Sequence, residues 1–407
     1  MALDPLFDVV VVGGGPAGAT AANDLAQRGI RVLLLDRAGR TKPCGGAIPP
    51  RLIKDFAIPE SLLVARANCA RMVSPADRCV DIPIEGGYVG LVDRGDFDEW
   101  LRQRAADAGA HRVTGSFERL SRDADGTRRV HFQPHGDAHG APVLEPTRLS
   151  SVRARCVIGA DGARSAVARQ AVPGAERGRY VFAYHEIVRA PGPAAPTPLY
   201  EPNRCDVYYR GTLSPDFYGW VFPHGSTLSV GTGSADRGFS LRTGVAELRR
   251  ACGLDRSETL RREGAPIPLQ PLPRWDDGHD VVLAGDAAGV VAPASGEGIY
   301  YAMASGRLAA DAVGELLRSG DARALRRARG RFMREHGRVF WVLGLMQRFW
   351  YCSDGRRERF VGICRDRDVQ QLTFDAYMNK RLVAARPLAH LRIFFKDMAH
   401  LLGLVRA

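Results

Sequence analysis

Apolar residues along this chain fall into unbroken runs of strand length and stripes of helical spacing, and their alternation sets out the architecture. Residues 7–12, Phe7-Asp8-Val9-Val10-Val11-Val12, form a run rich in β-branched side chains that predicts one buried strand. A glycine-rich turn follows at once. Helical spacing then continues to about Arg28, where Gly29 supplies a left-handed stop, and residues 31–35 form a second apolar run ending on Asp36. Residues 37–50 carry too much Gly and Pro for an element interior and read as a loop. Pieces rich in β-formers at 72–92, broken by Pro75, Pro83 and Gly86-Gly87, predict a first excursion into a second domain. A helix with acids in its first turn runs from near Asp93 to near Gly109, and strands over 114–132 flank the hairpin turn Asp123-Ala124-Asp125-Gly126. Residues 155–165 repeat the order strand, turn, helix, with Asp161 and Gly162 at the turn. Residues 180–232 are strand-like and aromatic, 280–284 read as a buried parallel strand, and a helix opened by 293–299 runs to about Leu317.

The first turn also carries chemistry. Gly13-Gly14-Gly15-Pro16-Ala17-Gly18 is a G-x-G-x-x-G sequence between a strand and a helix, the context a dinucleotide site requires. Gly13 permits the turn, Gly15 lets backbone approach a pyrophosphate, and Gly18 lets the helix lie close to the strand. Pro16 and Ala17 open the helix, whose first N–H groups have no partner within it and point at the phosphates. Asp36 follows Gly18 by 18 residues, close to the spacing expected of an acid that binds a ribose hydroxyl. The fold class is therefore α/β. A Rossmann-like domain at 1–71, 93–179 and 275–320 is interleaved with a β-sheet substrate domain at 72–92 and 180–274, and a helical C-terminal region follows at 321–407.

Composition adds limits. The 407 residues are 45% hydrophobic and 25% charged, ordinary values for a globular protein of two or three domains. The first residues lack the basic region of a signal peptide and no apolar stretch approaches the ~20 residues of a bilayer span, so a cytoplasmic protein is expected. The eight cysteines include no C-x-x-C pair, which argues against structural zinc. Net charge is +12, and residues 321–407 hold 19 Lys or Arg against 8 Asp or Glu, a balance of +11. Such a basic end suits an anionic surface, but no recognition motif points to nucleic acid. Leu388, Leu391, Phe395, Met398, Leu402 and Val405 recur at three- and four-residue spacing behind Pro387, which predicts an amphipathic helix packed on the core, on a second subunit or at a membrane interface.

The G-x-G-x-x-G, Asp161-Gly162 and Gly285-Asp286 motifs together resemble the flavoprotein hydroxylase-like superfamily over roughly residues 7–317. More locally the chain resembles geranylgeranyl reductases, in particular those of the bacteriochlorophyll pathway. That resemblance rests on Lys42-Pro43-Cys44-Gly45-Gly46, on 215–223 with Tyr218-Gly219-Trp220-Val221-Phe222-Pro223, on 292–301, and on Phe374-Asp375-Ala376-Tyr377. It implies an FAD-binding domain, with Asp36 on the adenosine ribose, Arg94 approaching the cofactor from its helix, Asp161 and Gly162 beside the pyrophosphate and Asp286 on the ribitol. Gly285, Pro293 and Gly296 would frame the groove, and the helix opening at Gly298 and Ile299 would aim backbone N–H groups at the flavin C2 carbonyl. Gly45 and Gly46 would let backbone lie close to the flat ring, and Arg37 and Arg40 could meet a phosphate.

The resemblance further implies reduction of three of the four alkenes of a geranylgeranyl chain esterified to a bacteriochlorophyll pigment. Flavin N5 would deliver hydride while a site acid supplies a proton. Cys44 and Tyr218 are the candidates for donor or positioning group, with Trp220 and Phe222 as apolar wall. No second G-x-G-x-x-G appears, so the reductant would bind transiently; NADPH is the family expectation, with reduced ferredoxin as the alternative. Peripheral contact with the cytoplasmic face of a photosynthetic membrane fits such a substrate, and the oligomeric state is not legible. The alternatives are an FAD-dependent monooxygenase or halogenase on the same fold, a reductase of geranylgeranyl diphosphate or prenyl lipids, or a non-catalytic prenyl carrier. Tyr218-Gly219-Trp220-Val221-Phe222-Pro223 only partly matches the halogenase W-x-W-x-I-P.

Overall fold

The structure, a computed structural model, describes residues 5–37, 42–85, 87–135, 150–192, 199–371, 378 and 380. The tail pattern at 387–407, the motif at 374–377 and Arg40 lie outside them.

The first sheet has a parallel core in the order His111–Arg122, Val32–Asp36, Leu6–Val12, Ser150–Gly159, Val281–Leu283. Its centre is Leu6–Val12, where Val9, Val10 and Val11 are fully buried because both faces of a parallel sheet are covered. Arg128–Pro134 runs antiparallel to both His111–Arg122 and Ser150–Gly159 and joins their ends, after a turn closed by Gly126 N donating to Asp123 O at 2.9 Å. The helix Arg94–Asp107 starts where the acidic pattern predicts, with Asp93 accepting from Gly95 N at 2.7 Å.

The second sheet has seven strands, in the order Thr259–Pro268, Tyr180–Arg189, Thr227–Ser234, Gly219–His224, Arg204–Tyr208, Cys69–Val73, Cys79–Pro83. The excursion expected at 72–92 divides in two. Cys69–Val73 and Cys79–Pro83 form a hairpin that extends this sheet, starting three residues earlier than the pattern suggested. Val89–Val92 instead pairs with Ala47–Ile48 and Leu63–Ala67 in a separate three-stranded sheet. Part of the loop read at 37–50 is therefore a strand, but two residues beside glycines and prolines leave no periodicity to read.

Two helices hold the cofactor side together. Pro16–Ala26 crosses the long helix Ile299–Ser319 so closely that a Cβ on Gly306 would lie 2.2 Å from the Ala17 carbonyl oxygen. Outside them lies Arg326–Trp350, which packs Phe332, His336 and Phe340 around Tyr301 at ring distances of 6.1, 5.2 and 4.9 Å. Asp354–Ile363 follows it. No described helix is long and apolar enough to cross a membrane.

Gly306→Ala should destabilise the fold by about 1–3 kcal/mol through overpacking against backbone. Gly330→Ala, whose Cβ meets nothing within 4 Å on a helix, should instead stabilise it by about 0.5–1 kcal/mol. Thermal melts of the two variants would check both signs. A second expectation concerns acid. Burial, then the charges of Arg51 and Lys380, push His336 down to about 4 from its ordinary 6.5, and its Nδ1 has no partner. Folding therefore favours the neutral ring: stability is full above pH 6.5 and falls as pH drops through 4, by about 3 kcal/mol in total. His336→Gln should flatten that slope in denaturant titrations at pH 7 and pH 4.

Candidate functional site

Between the two large sheets lies a cleft of about 1220 Å³, open solvent included, lined by residues from both. At one end stand Gly15, Pro16 and Ala17. Gly13 makes the turn with φ +104° and would clash with Ala160 O at 2.3 Å if it carried a Cβ, while Gly18 would clash with Gly13 O at 1.8 Å. Gly15 is different: nothing lies within 4 Å of where its Cβ would be, and no side chain caps the helix it opens. An open cradle facing unpartnered first-turn N–H groups fits a dinucleotide pyrophosphate. Gly162, with φ +89°, adds a second open position on the same cleft. Gly285 also lines it, in left-handed backbone at φ +64°.

Asp36 sits beside this cradle, at the end of its strand, against Gly14. Burial raises its pKa, opposed by the Gly14 amide and by Arg102. Arg102 Nη1 donates to Asp36 Oδ2 at 3.2 Å and to Gly14 O at 3.4 Å. Sequence reasoning missed Arg102. The signal was present, since Arg94, Asp98 and Arg102 follow one another at four-residue spacing and so share a helix face. Arg94 is buried, lines the cleft and makes a two-pronged pair with Asp98 at 2.9 and 2.7 Å. Burial works against its charge, but Asp98 and Cys44 outweigh that and raise its pKa.

Asp161 adjoins the cradle through its backbone, whose N lies 2.9 Å from where a Gly13 Cβ would be, while its side chain turns to the helix that follows. It does not line the cleft; its carboxylate accepts from Ser165 Oγ at 2.5 Å and from the amides of Ala166 and Val167 at 2.6 and 3.2 Å, at the start of the short helix Ala166–Ala171. Burial raises its pKa against these bonds. The acid is used to hold the turn, and Gly162 presents the backbone. Pro293 also faces away from the cleft, near Gly344, and Arg37 is exposed outside it.

Asp286 does line the cleft, with its side chain 6% exposed, and pairs with Lys42 Nζ. Opposite the cradle, Gly296, Gly298 and Ile299 bring the start of the long helix to the cleft. Gly296 needs its glycine, with φ +64° and Phe217 only 3.0 Å from a Cβ. Glu297 Oε1 accepts from Tyr300 N at 3.1 Å, and its other oxygen pairs with buried Lys380. Burial lowers the Lys380 pKa, with Glu297 opposing. Neither Lys42 nor Lys380 had been given a role from sequence.

The far end is apolar and aromatic. Gly45 lies flat on the wall, where a Cβ would meet Phe222 at 3.0 Å, and Gly46, at φ +69°, would meet Val92 O at 2.5 Å. Cys44 is half-buried on the cleft and its sulfur accepts from Gly46 N at 3.4 Å. Trp220 Nε1 donates to Ser229 Oγ at 3.1 Å, leaving the ring face as wall. Tyr218 is stacked on Phe217 at 4.2 Å and its hydroxyl donates to Ser295 O at 2.5 Å. Burial raises its pKa. Its proton is committed to the Ser295 carbonyl. One cleft thus joins a polar end suited to phosphates and hydroxyls to an aromatic end.

Residues 7–188 match the family model described as pyridine nucleotide-disulphide oxidoreductase, and 239–388 that described as lycopene cyclase protein. Over 399 residues the chain is 58% identical to the geranylgeranyl diphosphate reductase of Rhodobacter capsulatus, covering 98% of each. Among solved structures, a geranylgeranyl bacteriochlorophyll reductase-like protein of Thermoplasma acidophilum matches with a TM-score of 0.80 at 22% identity, over 94% of this chain and 99% of that one. A flavin-dependent brominase matches at 0.73 and 17%, over 97% and 100%. At these identities the two structures speak for the fold alone.

Asp286→Ala should weaken FAD retention at least about tenfold, the scale of one lost charge-assisted hydrogen bond. Lys42→Ala, at a side chain 41% exposed, should cost less. Fluorescence titration of the apoproteins with FAD would compare them; equal affinities for wild type and Asp286→Ala would place the ribitol elsewhere.

Proposed function

The chain belongs to the geranylgeranyl reductase family, and from that premise we propose that it uses FAD to saturate isolated double bonds of a geranylgeranyl chain carried on a bacteriochlorophyll or chlorophyll pigment, giving phytyl. The observation that carries this reading is the cleft itself, with a glycine cradle at one end and an aromatic wall at the other.

Gly15, Gly162, Asp36 and Asp286 would hold the dinucleotide, and Gly298 and Ile299 would face the flavin carbonyl with a helix N-terminus that favours negative charge there. Bound and reduced there, FAD would supply hydride chemistry. The chain's own task is geometric, because an isolated alkene is not polarised by a neighbouring carbonyl and must be brought to both hydride and proton in near-attack arrangement. Trp220 and Phe222 exclude water and press the chain flat. Tyr218, tied to Ser295, fixes that wall in place. The Cys44 sulfur accepts the Gly46 amide, a bond that does not use its S–H proton, and Cys44 is the proposed proton source. NADPH is the proposed electron donor, binding only during reduction.

Reduced protein under strict anaerobiosis should convert a geranylgeranyl pigment to products heavier by successive pairs of hydrogens. The same assay with geranylgeranyl diphosphate, and with reduced ferredoxin replacing NADPH, identifies carrier and donor. An absolute need for oxygen, with oxygen or halogen in the product, would overturn the reading in favour of a monooxygenase or halogenase. Cys44→Ser should slow turnover with little change in FAD content.

A further inference from the structure

The helix Arg326–Trp350 has a second face that nothing in the cleft uses. Trp341 is 70% exposed and Leu345 55% exposed, one turn apart. Among the described residues the other exposed large apolar side chains, Leu6, Val64, Leu199 and Leu260, stand singly elsewhere. Arg334, Arg338 and Arg348 continue the same face at spacings of three and four and are exposed. Among the described residues none of these three makes an ion pair, whereas Arg331, next along the helix, is held by Asp311 at 2.9 Å. Glu335 is the acid beside the stripe.

The inner face of this helix leads to the cleft. Leu343, Met346 and Phe349 pack against the apolar cluster that contains Tyr218 and Trp220. Gln347 accepts from Ala294 N at 3.3 Å and donates to Asp216 O at 3.4 Å, pinning the helix to the segment that carries Ser295. The exposed Trp341–Leu345 pair is therefore one helix thickness from the aromatic wall.

We propose that this face docks on an anionic bilayer. Trp341 and Leu345 enter the boundary between headgroups and acyl chains, and Arg334, Arg338 and Arg348 meet lipid phosphates. The argument is charge complementarity: an apolar centre with unpaired arginines on both sides along the helix is the pattern of an in-plane interfacial helix, and an indole ring favours that depth. A neutral protein partner would leave the guanidinium groups without counter-charge. The surface gains its purpose from the reading of the substrate as a long prenyl chain, but docking is read without turnover, so either can fail alone.

The test uses the full-length FAD-loaded protein, sedimented with vesicles of phosphatidylglycerol and phosphatidylcholine at a ratio of about three to seven, and with phosphatidylcholine alone. Wild type should bind the mixed vesicles and not the neutral ones, with binding that weakens as salt rises. Trp341→Ser/Leu345→Ser should bind at least tenfold more weakly, as should Arg334→Glu/Arg338→Glu/Arg348→Glu. All these side chains are exposed, so melting temperature and FAD content should be unchanged, which separates lost docking from lost folding. Equal binding by wild type and both variants would overturn the assignment and move any membrane contact to another segment. Failure of wild type to bind would also overturn it. So would light scattering that shows a wild-type dimer broken by the Trp341 variant while vesicle binding stays the same, because the face would then belong to a second copy.

Discussion

Most of the cofactor side depends on how little room surrounds Ala17. Its carbonyl oxygen is approached by Gly306 of the long helix, and its Cβ by Gly285, where an added Cβ would stand 2.7 Å away. Side chains at either position would push the long helix or the Gly285 turn out of register with the glycine cradle. The cleft therefore exists because three backbone segments meet with only the Ala17 methyl between them, a contact in which dispersion is gained only at close range. Stability and geometry are the same constraint here: the packing that buries Val9 to Val11 also aligns two helix starts on one cavity.

Around that contact the cleft is set by paired charges. Arg94 with Asp98, Lys42 with Asp286, and Lys380 with Glu297 all place at least one member on the lining. The two buried pairs, Arg94–Asp98 and Lys380–Glu297, contribute little net stability, because desolvation offsets attraction, yet losing one partner is costly. Their effect is to fix orientation. Glu297 illustrates this, since one of its oxygens is held by the Tyr300 amide at the helix start and the other by Lys380.

The local features were legible and the distant ones were not. A strand, a three-residue turn and the helix it opens lie within one stretch, so Gly13, Gly15, Gly18 and Asp36 could be read by spacing alone. Arg102, Lys42 and Lys380 reach partners 66, 244 and 83 residues away, and only the folded chain brings them together. The Asp161-Gly162 motif looks the same whether its acid faces the groove or caps the next helix, and here Ser165 and the amides of Ala166 and Val167 hold the carboxylate. The three-stranded sheet escaped because Ala47–Ile48 has neither length nor alternation.

The cleft's two ends belong to different sheets. The cradle rises from the parallel sheet, whereas Trp220 and Phe222 sit on Gly219–His224 of the other. Exchanging that strand's side chains would alter which organic molecule fits while leaving the glycine turn and its acids as they are. The fold itself tolerates wide change in sequence, since a brominase shares the architecture at 17% identity. The narrowest limit on such drift is the 3.0 Å between the position of a Gly45 Cβ and Phe222. Residue 222 can be replaced freely only by side chains that leave a flat face toward the loop, so the shape of that one surface, more than its polarity, sets how far the wall can evolve without displacing Cys44.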